Sequence, residues 1–132
     1  MIGLLFAACL PTETFYSVEV TATVTADADA PVYGEVLLAD TGDGALAVPM
    51  LWVADFSLPS PGTLSLTVLV PDVGEGLAVY AWQDLDGDGL LCAPDGDTEP
   101  TGASFSDDFP GTAATLDVAL SAPCLGPERY AE

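Results

Sequence analysis

The 132-residue chain has no lysine, no histidine and no asparagine, and Arg129 is its only basic residue. Against that one cation stand 21 aspartates and glutamates, for a net charge of −20. These absences exclude whole classes of chemistry. Without basic side chains to neutralise phosphates, nucleic acid is not a partner, and anionic membrane surfaces repel the chain. Without histidine there is no Ser-His-Asp or Cys-His pair and no His-ligated zinc. Without lysine there is no P-loop and no Schiff base. Isoleucine occurs once, at Ile2. A shortage of Lys, Asn and Ile together fits a GC-rich coding sequence, but such a sequence supplies arginine freely, so the acidity looks selected. It favours solubility and self-repulsion, softened by salt or divalent cations. Long apolar runs are also missing: the longest, Gly44 to Ala54, contains Pro49 and falls far short of the ~20 residues that span a bilayer. No window carries a helical period.

What is present is a globular composition. Half the residues are apolar, too many for a disordered acidic tail, and the length suits one domain. The dominant pattern is a period of two. Val18, Val20, Ala22 and Val24 share one face, while Glu19, Thr21, Thr23 and Thr25 share the other, as in a half-buried antiparallel strand. Further strands are expected at Val32 to Ala39, Met50 to Leu58, Thr63 to Val70, Leu77 to Gln83 and Thr115 to Leu120, with Ala45 to Val48 as a seventh. The turns between them are rich in Gly, Pro and Asp. The expectation is an all-β antiparallel sandwich of about seven strands, with a long acidic loop from Asp84 to about Pro110. Residues 17–126 form the sandwich, 10–16 a tether and 127–132 a C-terminal tail.

The acidic loop carries the clearest chemistry. Asp84, Asp86 and Asp88 alternate, and Gly89 follows, as at the start of a calcium loop. Alternate carboxylates converge when the chain curls around an ion, and the glycine permits the sharp turn. In a twelve-residue frame Leu90 offers its carbonyl at the seventh place and Asp95 falls at the twelfth. Asp is shorter than the usual Glu there, so Asp97 or Glu99 is an alternative for completing the shell. Two carboxylates about 4 Å apart repel by roughly 1 kcal/mol in water and about 4 kcal/mol at an effective dielectric near 20. A bound cation would remove that repulsion, and calcium suits the oxygen donors better than magnesium. A solvated acidic turn is the alternative. With a strand before it and Pro94 after it, the loop has no flanking EF-hand helices, and it resembles the calcium loops of dockerin-type and thrombospondin type 3 repeats.

Two further resemblances bear on setting. The stretch Met1-Ile2-Gly3-Leu4-Leu5-Phe6-Ala7-Ala8-Cys9 resembles the end of a bacterial lipoprotein signal, which implies export, lipidation of Cys9 and a place on the outer membrane or cell surface. It lacks a basic region ahead of the apolar run, which an earlier start codon would supply; an N-terminal strand is the other reading. Three cysteines make an odd count, and lipid on Cys9 would leave Cys92 and Cys124 to pair. Closing that loop of about 32 residues contributes on the order of 3–4 kcal/mol; two buried free thiols are the alternative. The segment from Gly76 to Gly89 resembles small secreted prealbumin-like (transthyretin-like, carboxypeptidase-regulatory-like) sandwiches, in which a strand runs into an Asp- and Gly-rich loop. That resemblance implies a fold and an envelope setting, and no catalytic residues.

Other chemistry is weaker. Leu37-Leu38-Ala39-Asp40-Thr41-Gly42 has the form of an aspartic-protease strand, with Asp40 as the acid, but Asp43 follows where Ala or Ser is usual, and a β-turn explains the same residues. A glycosidase needs only a carboxylate pair, and none stands out. Trp52, Trp82, Tyr33 and Tyr80 could form a sugar-stacking platform or serve as core. The expected function is a calcium-binding envelope lipoprotein without catalysis. A calcium-dependent carbohydrate- or protein-binding module is the alternative, and an acid hydrolase comes third. Possible partners are a glycan or an envelope protein, with membrane contact only through Cys9.

Overall fold

The computed structural model describes residues 14–38, 50–71, 76–92, 98–106 and 111–130. Cys9, Asp40, Asp95, Asp97 and the Ala45 to Val48 segment lie outside the described residues. Eight strands occur among those described: β1 Phe15–Thr25, β2 Val32–Leu38, β3 Leu51–Leu58, β4 Thr63–Pro71, β5 Leu77–Gln83, β6 Pro100–Ser106, β7 Ala113–Ala119 and β8 Ala122–Pro123. A 3-10 turn, Pro127–Tyr130, follows. Among the described residues no helix is long and apolar enough to cross a membrane. The strands form a three-stranded sheet, β4-β1-β7, and a five-stranded sheet, β3-β2-β5-β6-β8. This is the all-β sandwich that the alternation implied.

The period-two pattern becomes the core directly. Val18, Val20, Ala22 and Val24 on β1 are fully buried, as are Val68 and Val70 on β4 and Leu116 and Val118 on β7. They meet Val32, Val36 and Leu38 of β2 and Leu77, Val79 and Ala81 of β5 across the sandwich. Valine dominates because a β-branched side chain is stiff and packs well on a pleated surface. Burying each such side chain contributes roughly 1.5–3 kcal/mol. Glu19, Thr21 and Thr23 face outward, where Thr21 Oγ1 lies 3.1 Å from Ser65 Oγ and Thr23 Oγ1 lies 3.0 Å from Thr63 Oγ1 on β4.

Three features depart from the sequence reading. β1 begins at Phe15, inside the segment assigned to the tether, because Phe15 and Tyr16 pair with Pro71 and Val70. β1 also pairs in parallel with β7, Glu19 opposite Ala113 through Thr25 opposite Ala119. β4 has already returned to one edge of β1, and the chain then forms β5 and β6 in the other sheet before β7 reaches the opposite edge; a long crossover can bring a strand back in either direction. Finally, Pro100–Ser106, expected to be loop, is β6, paired antiparallel with β5 from Leu77↔Ser106 to Trp82↔Thr101. Its small residues mask the alternation for a packing reason. A Cβ on Gly102 would collide with the backbone carbonyl of Ala119 on β7, so the two sheets approach too closely there for a side chain.

The outer face of the five-stranded sheet carries a second, smaller apolar cluster: Leu37, Ala78 and Tyr80, with Trp82, Ala103, Phe105 and Tyr130 packed around it. The C-terminal segment lies on this face. Tyr80 donates to the Leu125 carbonyl at 2.7 Å. Thr101 Oγ1 donates to the Ala122 carbonyl at 2.9 Å and lies 2.6 Å from the Tyr130 hydroxyl. Burial pushes the Tyr80 hydroxyl pKa well above its ordinary value, with Tyr130 and then Glu35 adding to it.

Glu35, on the same face, sits directly opposite Asp55 of β3, an unfavourable cross-strand pair. Burial raises its pKa above the ordinary carboxylate value, and the charges of Asp55 and Glu128 raise it further. The folded state therefore holds this proton more tightly than the unfolded state. Ionising Glu35 costs stability as pH rises past its unfolded pKa, and the full cost is present above its folded pKa. Glu35→Gln should raise the melting temperature at pH 7 by about 1–3 °C. Relative to wild type, the gain should vanish below about pH 4, which paired thermal melts across that range would show.

Candidate metal centre

The hairpin joining β5 to β6 builds the site. Its last assigned pair is Trp82↔Thr101, and continuing that register two residues sets Asp84 opposite Glu99. Both side chains are almost fully buried, at 4% and 1% exposure. Asp86 and Asp88, further along the loop, are exposed. All four carboxylates nevertheless converge, each offering an oxygen within 4.8 Å of the others.

Backbone amides hold this arrangement. Gly87 donates to Asp84 Oδ1 at 2.7 Å and Gly89 donates to Asp84 Oδ2 at 3.0 Å, so the loop curls around the Asp84 carboxylate. Gly87 and Gly89 have φ of +79° and +74°, a left-handed backbone that favours glycine. The alternating aspartates therefore need both glycines to turn inward. Asp88 donates its amide to Asp86 Oδ1 at 3.0 Å, and Leu90 donates to Asp88 Oδ1 at 2.7 Å. Glu99 is held most firmly. Its Oε1 accepts from Leu85 N–H at 3.0 Å and its Oε2 from Cys92 N–H at 2.7 Å. Each carboxylate oxygen has two lone pairs, so these bonds leave capacity for a cation.

The Cys92–Cys124 disulfide is formed, with Cα atoms 5.7 Å apart, and it closes around Glu99. Cys124 N–H donates to the Glu99 carbonyl at 3.0 Å, while the Glu99 amide points at Cys92 Sγ at 3.3 Å. Both cysteines have left-handed backbones, with φ of 47° and 54°. That conformation costs a non-glycine residue about 1–2 kcal/mol. The covalent bridge and the Glu99 hydrogen bonds hold it in place.

Residues flanking the ligands face elsewhere. Gln83, Leu85, Thr98 and Pro100 line a cavity of about 500 Å³ with Asp27 and Ser121. Gln83 is fully buried. Its side-chain amide donates to the Ala28 and Ala30 carbonyls at 2.8 and 3.0 Å, and Asp84 N–H reaches the Pro31 carbonyl at 2.9 Å. The β1–β2 turn is thereby tied to the start of the acidic loop.

The structure thus assembles Asp84, Asp86, Asp88 and Glu99 from the expected ligand set. Leu90 is exposed at 59%, with its amide turned to Asp88. Asp95 and Asp97 lie outside the described residues. Of the four aromatic candidates, Tyr33 and Trp82 stack with centroids 5.1 Å apart, and Trp52 is 61% exposed. Tyr80 does not join them, because it is buried beneath the C-terminal segment. The sequence reading passed over Glu35, and its only signal was its place between Tyr33 and Leu37 on the outward-facing side of β2.

Four carboxylate oxygens within one cation's coordination sphere, two of the side chains buried, make a centre able to hold a metal ion. Together with the two sheets, they define an all-β sandwich with a disulfide-locked acidic cluster. Comparison with protein-family profiles, curated proteins and solved structures finds no match.

Because the bridge positions Glu99, replacing Cys92 and Cys124 together by alanine should do two things. It should lower stability by about 3–4 kcal/mol and weaken cation binding by about 10-fold or more, as loss of a supporting shell does. Chemical denaturation and calorimetry on the double variant measure both. Unchanged affinity would show that Glu99 needs no such support.

Proposed function

We propose that this protein is a calcium-binding β-sandwich of the bacterial cell envelope, exported and anchored by lipid on Cys9, with a structural or binding role and no catalysis. One observation carries the calcium reading: four carboxylates, two of them buried, each bring an oxygen within 4.8 Å of the others. An all-oxygen set with this many carboxylates suits calcium, which takes about six to eight oxygen ligands, whereas magnesium is usually held by one or two carboxylates and keeps several waters. Asp84, Asp86, Asp88 and Glu99 would hold the ion, which would neutralise two buried carboxylates and lock the β5–β6 hairpin.

The setting is supported by chemistry rather than by kinship. A disulfide persists in oxidising compartments. A net charge of −20 suits a saline, calcium-containing exterior. With Cys92 and Cys124 paired, Cys9 is the cysteine left for lipid. The prealbumin-like resemblance is supported only at the level of a two-sheet sandwich. A second reading, a calcium-dependent carbohydrate- or protein-binding module, is favoured by the exposed Trp52 and the Tyr33–Trp82 pair.

Calcium at about 10 mM, against a Kd of about 10⁻⁴ to 10⁻³ M, should stabilise the fold by roughly 1.4–2.7 kcal/mol. The melting temperature should rise by about 4–10 °C, reverse with chelator and rise less with magnesium. Glu99→Gln should abolish the response. No change in melting temperature or Trp82 fluorescence at that concentration would sink the calcium reading. The anchor is tested separately, by expression with the upstream reading frame in a bacterial host. Wild type should incorporate labelled palmitate and Cys9→Ser should not; an unlabelled wild type overturns it.

A further inference from the structure

The outer face of the β3-β2-β5 strands forms a grid of aromatic and acidic side chains. Cross-strand pairing sets Tyr33 beside Trp82 and Ser57, Glu35 beside Tyr80 and Asp55, and Leu37 beside Ala78 and Trp52. A bulge creates part of this. Trp52 and Asp55 are three residues apart, which in a regular strand would put them on opposite faces. The register shifts opposite Val36/Leu37, and the extra residue returns Trp52 to the outer face. There Trp52 Nε1 donates to Asp55 Oδ1 at 2.7 Å, which fixes the indole beside the carboxylates. Tyr33 and Trp52 are exposed at 38% and 61%.

We propose that this face is a docking surface for a basic segment of a partner protein, with arginine or lysine side chains held between the Tyr33–Trp82 rings, Trp52 and the Glu35–Asp55 carboxylates. Charge complementarity selects the occupant. Two carboxylates face each other across β2 and β3, with Glu128 of the C-terminal turn acting on Glu35, and a guanidinium answers both the acids and the rings. It binds carboxylates in a bidentate fork and stacks on aromatic faces. Exposed Trp and Tyr are also the residues that dominate interface energetics. A second copy of this chain would bring its own −20 charge and be repelled. A sugar platform fits less well, because the stacked pair is tilted by 30° and Trp82 is half-buried. The face is separate from the carboxylate cluster, so the proposal goes beyond the calcium reading and does not depend on it.

The test uses a capped peptide of alternating glycine and arginine as probe, in physiological salt and constant calcium, read by calorimetry and tryptophan fluorescence. The Glu35→Gln/Asp55→Asn variant should bind it about 10-fold more weakly. Glu19→Gln/Asp117→Asn removes the same charge from the opposite, exposed face of the three-stranded sheet and should change affinity less than about 2-fold. Tyr33→Ser should weaken binding without any change of charge. Equal losses in the two charge variants would reduce the effect to general attraction and overturn the proposal. So would an undetectable wild-type complex at about 1 mM peptide. A neutral oligosaccharide that shifts the tryptophan signal where the peptide does not would show a glycan surface instead.

Discussion

The site depends on one enforced proximity: Asp84 and Glu99 face each other at the mouth of the β5–β6 hairpin, both buried, both acidic. Sheet register sets the distance between them, because the ladder that pairs Trp82 with Thr101 leaves the next residues nowhere else to go. Their repulsion is met first by backbone amides. Asp84 accepts from Gly87 and Gly89, and Glu99 accepts from Leu85 and Cys92. Amides carry partial charge only. A divalent cation would supply what they lack.

The disulfide belongs to the same unit. It joins the loop to the segment that covers the outer sheet face, so Glu99, Cys124, Leu125 and Tyr130 form a continuous path from the acidic cluster to Tyr80 and Thr101. A small sandwich with a valine core has limited apolar surface to bury. A covalent clamp and an ion at one end would compensate for that.

The two sheets divide the labour. The three-stranded sheet shows solvent mainly hydroxyl and carboxylate groups, with Thr21, Thr23, Glu19 and Asp117 outward, and exposes Phe15 and Leu69 toward one end. The five-stranded sheet shows rings and acids, partly roofed by the C-terminal turn. That asymmetry is what separates a scaffold face from a candidate binding face.

How much of this was legible beforehand follows from what alternation encodes. A period of two says which side of a strand is buried, so the inward face of Val18 to Val24 could be read from the chain itself, while the apolar runs Val32 to Leu38 and Leu77 to Gln83 marked strands without saying which face turns inward. Cysteine parity pointed to the Cys92–Cys124 bridge, and the Asp84-Asp86-Asp88-Gly89 spacing pointed to the loop. Alternation does not say which strands are neighbours or in which direction they run, so the parallel β1–β7 pair was invisible. It also fails where side chains are small, which hid β6 around Gly102. Without β6 there was no register to set Glu99 opposite Asp84. The burial of Tyr80 and the pairing of Tyr33 with Trp82 and Glu35 with Asp55 were decided only by tertiary structure, because contacts across strands depend on register, and register is a property of the whole sheet.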